Sequence, residues 1–440
     1  MFVPFFSARD AMNATLLKLG LSRPAPPASA PARADASAGL PDTPRQPLRV
    51  DLVTAPDELF ALADAWRTLQ RRTPRALLSP FQDWDFVRAW LATACQTDDE
   101  GGECRPVMAV VRQGQRPILM LPFQLDRHAG LKRLTWLGMP ALQYGGFLLD
   151  ERLPADMRNE AMETALLGLA SLQADFDDFR LMPADAPATS FLARSGWRGA
   201  PNASYCVDMS AHADWRAYEL SLRRSTRRAR HKRLNRLSRQ GRLVFRMQET
   251  GPRRHELLDI ALGWKRSWLA ARGEGGSFAA TGTFAQLMHA VLDHSATSPA
   301  RWMAAELKLD GHPIAIEIGA AMHGVFFAYL AAYDVTLAEH SPGKVLMWLM
   351  LQWCKENGID IYDMLPNHAP YKAEWANVMR PLVHVIRPRT VRGQAYGLWA
   401  SRLRPLAREA YQALPPSLRG LIGANLRRLR DGGKGGGLAH

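Results

Sequence analysis

A chain of 440 residues with 47% hydrophobic content is long enough for two or three ordinary domains, each with its own buried core. Its 56 Lys and Arg against 42 Asp and Glu leave a formal charge of +14, which favours anionic partners: nucleic acid, an anionic membrane leaflet, a phosphate-bearing coenzyme or a nucleotide-linked sugar. No apolar run approaches the ~20 residues needed to span a bilayer, and Cys95, Cys104, Cys206 and Cys354 lack the spacing of a zinc site or a disulfide framework, so they read as reduced thiols of a cytoplasmic protein, with a loop disulfide between Cys95 and Cys104 as the lesser alternative.

Met1–Leu21 scatters Phe2, Phe5, Phe6, Leu16 and Leu17 among charges that interrupt any signal-peptide core, and reads as a frayed terminus or a short amphipathic segment (1–21). The stretch 22–47 holds Pro24, Pro26, Pro27, Pro31, Pro41, Pro44 and Pro47, too much proline for helix or sheet, and is expected to be a disordered Pro/Ala-rich linker. Ordered sequence starts at Leu48–Val53, which alternates as a strand, and from Asp57 a helix places Leu59, Phe60, Leu62, Trp66 and Leu69 on one face.

From there the chain repeats its own plan. Val107–Arg112 and Arg116–Pro122 predict a hairpin, and Trp302–Lys308, a turn at Asp310-Gly311, and His312–Ile318 predict another. A second echo follows in the same order: Asp178–Pro183 in the first half and Ile361–Pro366 in the second. Two ordered pairs argue for duplication, with domains at 48–213 and 243–390. Between them, 214–242 contains Arg223, Arg224, Arg227, Arg228, Arg230, Lys232, Arg233, Arg236, Arg239 and Arg242 with Leu220, Leu234 and Leu237 at helical spacing, and predicts one basic connecting helix across Trp215–Arg242. The second half then reads as strand Leu243–Met247, helices near Glu256–Ala271 and Thr283–His294 separated by the turn Gly273–Gly276, the hairpin, strand Val325–Tyr333, helix Pro342–Asn357, strand Ile359–Leu365 and a last strand at Leu382–Arg387. Residues 391–440 read as a basic helical extension with a Gly-rich tail.

Ser341-Pro342-Gly343-Lys344 stands between the third strand and the helix of that second half. Ser341 suits an N-cap and Pro342 the first helical position, where its missing N–H costs nothing. The N–H groups of Gly343, Lys344 and Val345 would point outward at the positive end of the helix, a place that suits a pyrophosphate. An ordinary capped helix is the plain alternative.

The order hairpin, long strand, anion-binding turn, helix, short strand resembles the acetyl-coenzyme A half of the GNAT superfamily. The Ser-Pro-Gly turn followed by Gly358–Asp363 and Tyr371-Lys372-Ala373-Glu374-Trp375 is similar to the CelD/BcsL acetyltransferases of cellulose and exopolysaccharide synthesis. That family shares its plan with the FemABX peptidyltransferases. The resemblance spans roughly Leu48 to Arg389 and implies an α/β fold of two tandem GNAT-like domains, each a mixed, mostly antiparallel sheet flanked by helices. Acyl transfer from acetyl-CoA or another acyl-CoA to a small-molecule or glycan-precursor acceptor is implied with it, and no metal. The phosphates would sit on Ser341, Pro342, Gly343, Lys344 and Val345. Asp363, Glu317 and Asp334 become candidate bases, Tyr371 an acid for the leaving thiolate, and Lys372 and Trp375 substrate contacts. One departure stands out: Pro366-Asn367 follow Asp363-Met364-Leu365 where the family usually has Gly. The basic helices leave two further partners open, an anionic membrane touched from the cytoplasmic side of the inner membrane, and aminoacyl-tRNA as in some FemABX relatives. A non-catalytic, membrane-associated assembly factor is the remaining reading.

Overall fold

The computed structural model describes residues 46–95, 104–186, 196–199, 202–271, 278–294 and 298–403, with Thr189, Leu192 and Leu406. The N-terminal segment, the linker as far as residue 45, the Gly273–Gly276 turn and the tail beyond Leu406 fall outside these residues.

Strand β1 (Leu48–Val53) leads into helices α1 (Pro56–Ala61), α2 (Ala63–Gln70) and α3 (Trp84–Thr93), the last capped by the Asp83 carboxylate, which accepts from the Asp85 N–H. Then come β2 (Arg105–Gln113), β3 (Arg116–His128), β4 (Leu131–Trp136), the short β5 (Leu148–Leu149), α4 (Ala155–Ala170), β6 (Phe176–Pro183), β7 (Trp197–Arg198) and β8 (Asn202–Asp208). The basic connector is broken: α5 (Trp215–Ser221) ends at Leu222, whose extended backbone separates it from α6 (Arg224–Ser238). The single helix expected across 215–242 is therefore two. The second half repeats the first with β9 (Leu243–Gln248), α7 (Arg253–Ala271), α8 (Gly282–His294), β10 (Arg301–Leu309), β11 (His312–Met322), β12 (Val325–Tyr333), α9 (Pro342–Glu356), β13 (Ile361–Pro366), α10 (Pro370–Trp375) and β14 (Val378–Pro388); α11 (Val391–Leu398) follows.

All the strands join one sheet, whose main path runs β1-β2-β3-β4-β6-β14-β8-β13-β12-β11-β10-β9. This order is a palindrome of two equal plans. In each half three antiparallel pairings are followed by a parallel one, β4 with β6 and β12 with β13, across a helical crossover. The terminal strands are exchanged: β14, from the second half, pairs with β6, and β8, from the first, pairs with β13. The last strand expected to complete the second sheet thus completes the first, and the sheet does not divide at the 213/214 boundary. Ion pairs clamp the exchange, since His384 on β14 lies 2.6 Å from the buried Asp178 carboxylate and Arg389 reaches Asp177 at 2.7 Å.

The larger core runs without a break from Trp66, Phe86 and Trp90 to Leu258, Leu287 and Trp302, so the halves share their interior. Ser298 adds a polar link, donating to Asp83 at 2.6 Å. A second core fills the opposite face of the second half beneath α9, where Leu346, Trp348, Leu351 and Cys354 meet Tyr362 and Leu237. Cys95 and Cys104 form a disulfide, with Cα atoms 5.2 Å apart, which corrects the expectation that all four cysteines are reduced thiols; Cys206 and Cys354 are free and buried. No helix among the described residues is long and apolar enough to cross a membrane.

Candidate functional site

The parallel pair of the second half holds for only three residues. Val325, Phe326 and Phe327 face Ile361, Tyr362 and Asp363, and there the pairing ends. Beyond that point β12 stays with β11 through a bulge at Ile318/Gly319, while β13 turns away with a register break against β8 after Asp363. Leu365 and Asn367 both take left-handed backbone, with φ of 63° and 75°. Asn tolerates that conformation better than most residues with a side chain, which suits Asn367 to its place. The two strands consequently open like a V between the later parts of β12 and β13.

The crossover at 335–341 leads into α9. Asp334 caps the 335–340 turn, accepting from the Thr336 N–H at 2.9 Å and its hydroxyl at 2.7 Å. Ser341 sits in the left-handed region at φ 55° and makes no side-chain cap. Its carbonyl instead takes the N–H groups of Lys344 and Val345 at 3.0 and 3.2 Å. Two of the three N–H groups expected to face an anion are thus turned into the first helical turn, and the Ser341 cap is absent. Pro342 is buried at the first helical position. Gly343 lies against Tyr333, where a Cβ would come within 3.3 Å of the ring. The Lys344 ammonium pairs with Glu374 at 2.7 Å, and Arg233 of α6 approaches the same carboxylate at 3.6 Å. Arg236 donates to the Glu339 carbonyl, so the basic helix walls this turn.

Helix α10 closes the far side. Lys372, nine-tenths buried, donates to the carbonyls of Leu365 at 3.1 Å and Pro366 at 2.8 Å. Burial brings its ammonium down to about 8, although the neighbouring Asp363 charge opposes the shift. Asp363 is itself buried and accepts the Tyr144 hydroxyl at 2.6 Å and the Leu365 N–H at 2.8 Å; burial raises its carboxyl above the usual range against the pull of both bonds. Tyr144 comes from the first half, with Phe81 and Phe327 against its ring. Cys206 lies opposite Asp363 on β8, its thiol pushed up by burial.

The candidate carboxylates do not share one place. Tyr362 and Asp363 are consecutive on a strand and face opposite sides of the sheet. Glu317 accepts the Tyr362 hydroxyl at 2.6 Å on the α9 side, and burial lifts its carboxyl to about 7. The opening therefore has Asp363, Lys372 and Tyr144 on one face and Glu317 with Tyr362 on the other. Asp334 is engaged in its cap and Tyr371 is half-exposed on α10. Trp375 is buried beneath the Arg230 guanidinium, 3.8 Å from the ring centroid, in contact with α6. Sequence reasoning missed Tyr144, whose segment Gln143-Tyr144-Gly145-Gly146 carries no periodic or motif signal, and Glu374, which lay inside the quoted Tyr371–Trp375 segment. Among the described residues no group of three or more His, Cys, Asp or Glu side chains is arranged to hold a metal ion.

The opening has a sealed counterpart in the first half. Leu181 on β6 is left-handed at φ 59°, as Leu365 is on β13. Its carbonyl takes the Gly145 N–H at 3.0 Å, whereas the Leu365 carbonyl takes the Lys372 ammonium. A side chain at Gly145 would collide with Trp136 and the Arg180 carbonyl, so glycine lets the chain lie flush along β6.

Residues 223–373 match the family model for an acetyltransferase (GNAT) domain. That match makes the second half an acetyltransferase-type domain and the chain an acyltransferase. No curated protein sequence matches the chain. Among solved structures, FemX is 10% identical, with 76% of this chain and 96% of that one covered and a TM-score of 0.48. A tandem GNAT protein from the clavulanic acid biosynthesis pathway is 12% identical, covering 77% and 97%, with a TM-score of 0.40. The C-terminal domain of a putative lysylphosphatidylglycerol synthetase from Agrobacterium fabrum is 14% identical, covering 77% and 98%, with a TM-score of 0.44.

Proposed function

We propose that the chain transfers an acyl group from acyl-CoA to the amine or hydroxyl of a polar acceptor, of the glycan-precursor kind used in exopolysaccharide or envelope synthesis, at the cytoplasmic side. The observation that carries this reading is the β12/β13 opening, with the start of α9 on one side and a buried lysine on the other. The coenzyme phosphates lie near Gly343 and Lys344, with Lys344 released from Glu374, and the thioester enters the V. Neutral Lys372 uses two N–H bonds on the Leu365 and Pro366 carbonyls, which leaves its lone pair free to take a proton. The acceptor attacks the thioester carbon, its proton passes to Lys372, the new C–N or C–O bond forms, and the C–S bond breaks as the thiolate is protonated from Tyr371 or water. Asp363 stabilises the ammonium so formed. Calorimetric titration with acetyl-CoA and longer acyl-CoAs tests the assignment: a folded sample that binds none at high micromolar ligand sinks it.

A second reading rests on α6. Arg224, Arg228, Lys232, Arg236 and Arg239 are exposed along it, and the same helix contacts the turn before α9. A charged tRNA could present its aminoacyl ester at the same opening. Tight binding of tRNA that weakens steeply with salt supports it, and no gel shift at low salt removes it.

A further inference from the structure

The face of the sheet that carries Asp363 continues beyond the opening. Cys206 on β8 stands opposite Asp363 on β13, and Val378 on β14 stands opposite Cys206, so the three side chains share one side of the sheet. Ser204, two residues before Cys206, is on the same side and faces Arg380 across the β8/β14 pair. Ser204 is buried beside the Tyr144 hydroxyl, with its own hydroxyl 3.9 Å from the Cys206 sulfur, whereas Arg380 is exposed. Asn202, again two residues earlier, joins β8 to the end of β13, its amide donating to the Asn367 side chain at 3.4 Å. A polar strip therefore leads along this face from the buried Asp363 to an exposed guanidinium.

The other arginines of this strand and its end are engaged: Arg387 and Arg389 both approach Asp177. The Arg380 side chain makes no hydrogen bond or ion pair among the described residues. Its charge pulls on the Asp363 carboxyl, and that of Lys265 on α7 pushes on Lys372, so cations stand on two sides of the reacting groups. Two strand spacings, about 10 Å, separate Arg380 from β13, which is the reach of a phosphorylated sugar or a sugar acid whose amine or hydroxyl sits at Lys372. A guanidinium offers a fork of donors and no acceptor, and it grips phosphate or carboxylate by two parallel bonds. We infer that Arg380 holds an oxyanion of the acceptor, a phosphate or a carboxylate, and that the opening selects an anionic acceptor. The inference rests on the acyl-transfer reading of the same opening and adds the charge class of the molecule that receives the acyl group.

Calorimetric titration of the full chain with inorganic pyrophosphate and with malonate, each with and without saturating CoA, tests it. The expected result is binding of one of these anions that persists when CoA is bound, weakens about tenfold in Arg380→Gln and recovers in part in Arg380→Lys. Pyrophosphate as the stronger ligand assigns a phosphate to the acceptor, and malonate a carboxylate. Arg380 is exposed, so both variants should keep the melting temperature and the CoA affinity of the parent. No binding of either anion overturns the inference, as does binding of equal strength in the parent and Arg380→Gln. Anion binding that CoA abolishes and Arg380→Gln spares belongs to the donor phosphates; it overturns the inference and leaves the donor reading standing. A folded chain that takes no CoA fails the donor reading instead, and anion binding lost in Arg380→Gln in that sample still supports the anion site.

Discussion

The Tyr144 hydroxyl donates to the Asp363 carboxylate at 2.6 Å across the junction of the two halves, from a position 219 residues earlier in the sequence. Neither side chain is open to bulk water, and burial pushes both groups upward, which keeps the proton on the phenol and makes the bond charge-assisted when Asp363 is ionised. Tyr144→Phe keeps the ring against Phe81 and Phe327 and removes only the donor. We expect a loss of about 1–3 kcal/mol in urea unfolding at neutral pH, because Asp363 loses a bond it cannot replace from solvent. The loss should shrink in the Asp363→Asn background; equal losses in both backgrounds would show that the two residues are not coupled.

Lys372 has a pH signature of its own. An ammonium lowered from 10.5 to about 8 is neutral in a growing fraction of molecules as pH rises through 8, and only the neutral form can accept a proton. Acyl transfer should therefore rise roughly tenfold per pH unit below that value and level off above it. Lys372→Arg keeps a cation over the Leu365 and Pro366 carbonyls but cannot deprotonate in this range, so it should lose most of kcat while acyl-CoA affinity holds. A full rate in Lys372→Arg, read by thiol release, would take the lysine out of the proton transfer.

Much of this geometry was written locally in the sequence, and the rest was not. The two hairpins and the Leu48–Val53, Val325–Tyr333 and Pro342–Glu356 segments follow from alternation, Gly-containing turns and a Pro at the first helical position, all of which act over a few residues. The strand exchange does not, because Leu382–Arg387 has the same pattern whether it pairs with β6 or with its own half. Pairing partners are chosen by nonlocal contacts such as His384 with Asp178. For the same reason Asp363, Glu317 and Lys372 could be named from their segments, whereas the sheet face each occupies and the bond from Tyr144 could not. The Leu222 break in the basic connector was hidden by an almost uniform run of helix formers.

Glu317 predicts a stability change whose sign runs opposite to that of an ordinary salt-bridged acid. Its folded value of about 7 lies above the usual 4.5, so between those values the folded state holds a proton that the unfolded chain has released. Stability on this account falls as pH rises from about 4.5 to about 7 and stays low above it, by up to ~3 kcal/mol in total. Glu317→Gln keeps an acceptor for the Tyr362 hydroxyl and does not ionise. It should match the parent near pH 5 and exceed it at pH 8 in chemical denaturation. A variant equally destabilised at both values would mean that the carboxylate is ionised and needed in the core.

On the proposed acyl-CoA reading, the contrast between Leu181 and Leu365 predicts the number of donor sites. Both residues lie in left-handed backbone at a register break, where β6 bulges against β14 and β13 against β8, but the Leu181 carbonyl is taken by a backbone N–H, that of Gly145, while the Leu365 carbonyl is taken by a side chain, that of Lys372. Saturating titration with acyl-CoA should therefore give one site per chain, lost in Gly343→Asp, which places a carboxylate at the phosphate end. Gly145→Ala should leave that stoichiometry and affinity alone and lower only the melting temperature, since its Cβ strikes Trp136 and the Arg180 carbonyl. Two equivalent sites per chain, or a site lost on Gly145→Ala in a sample that remains folded, would show that the first half takes the coenzyme too.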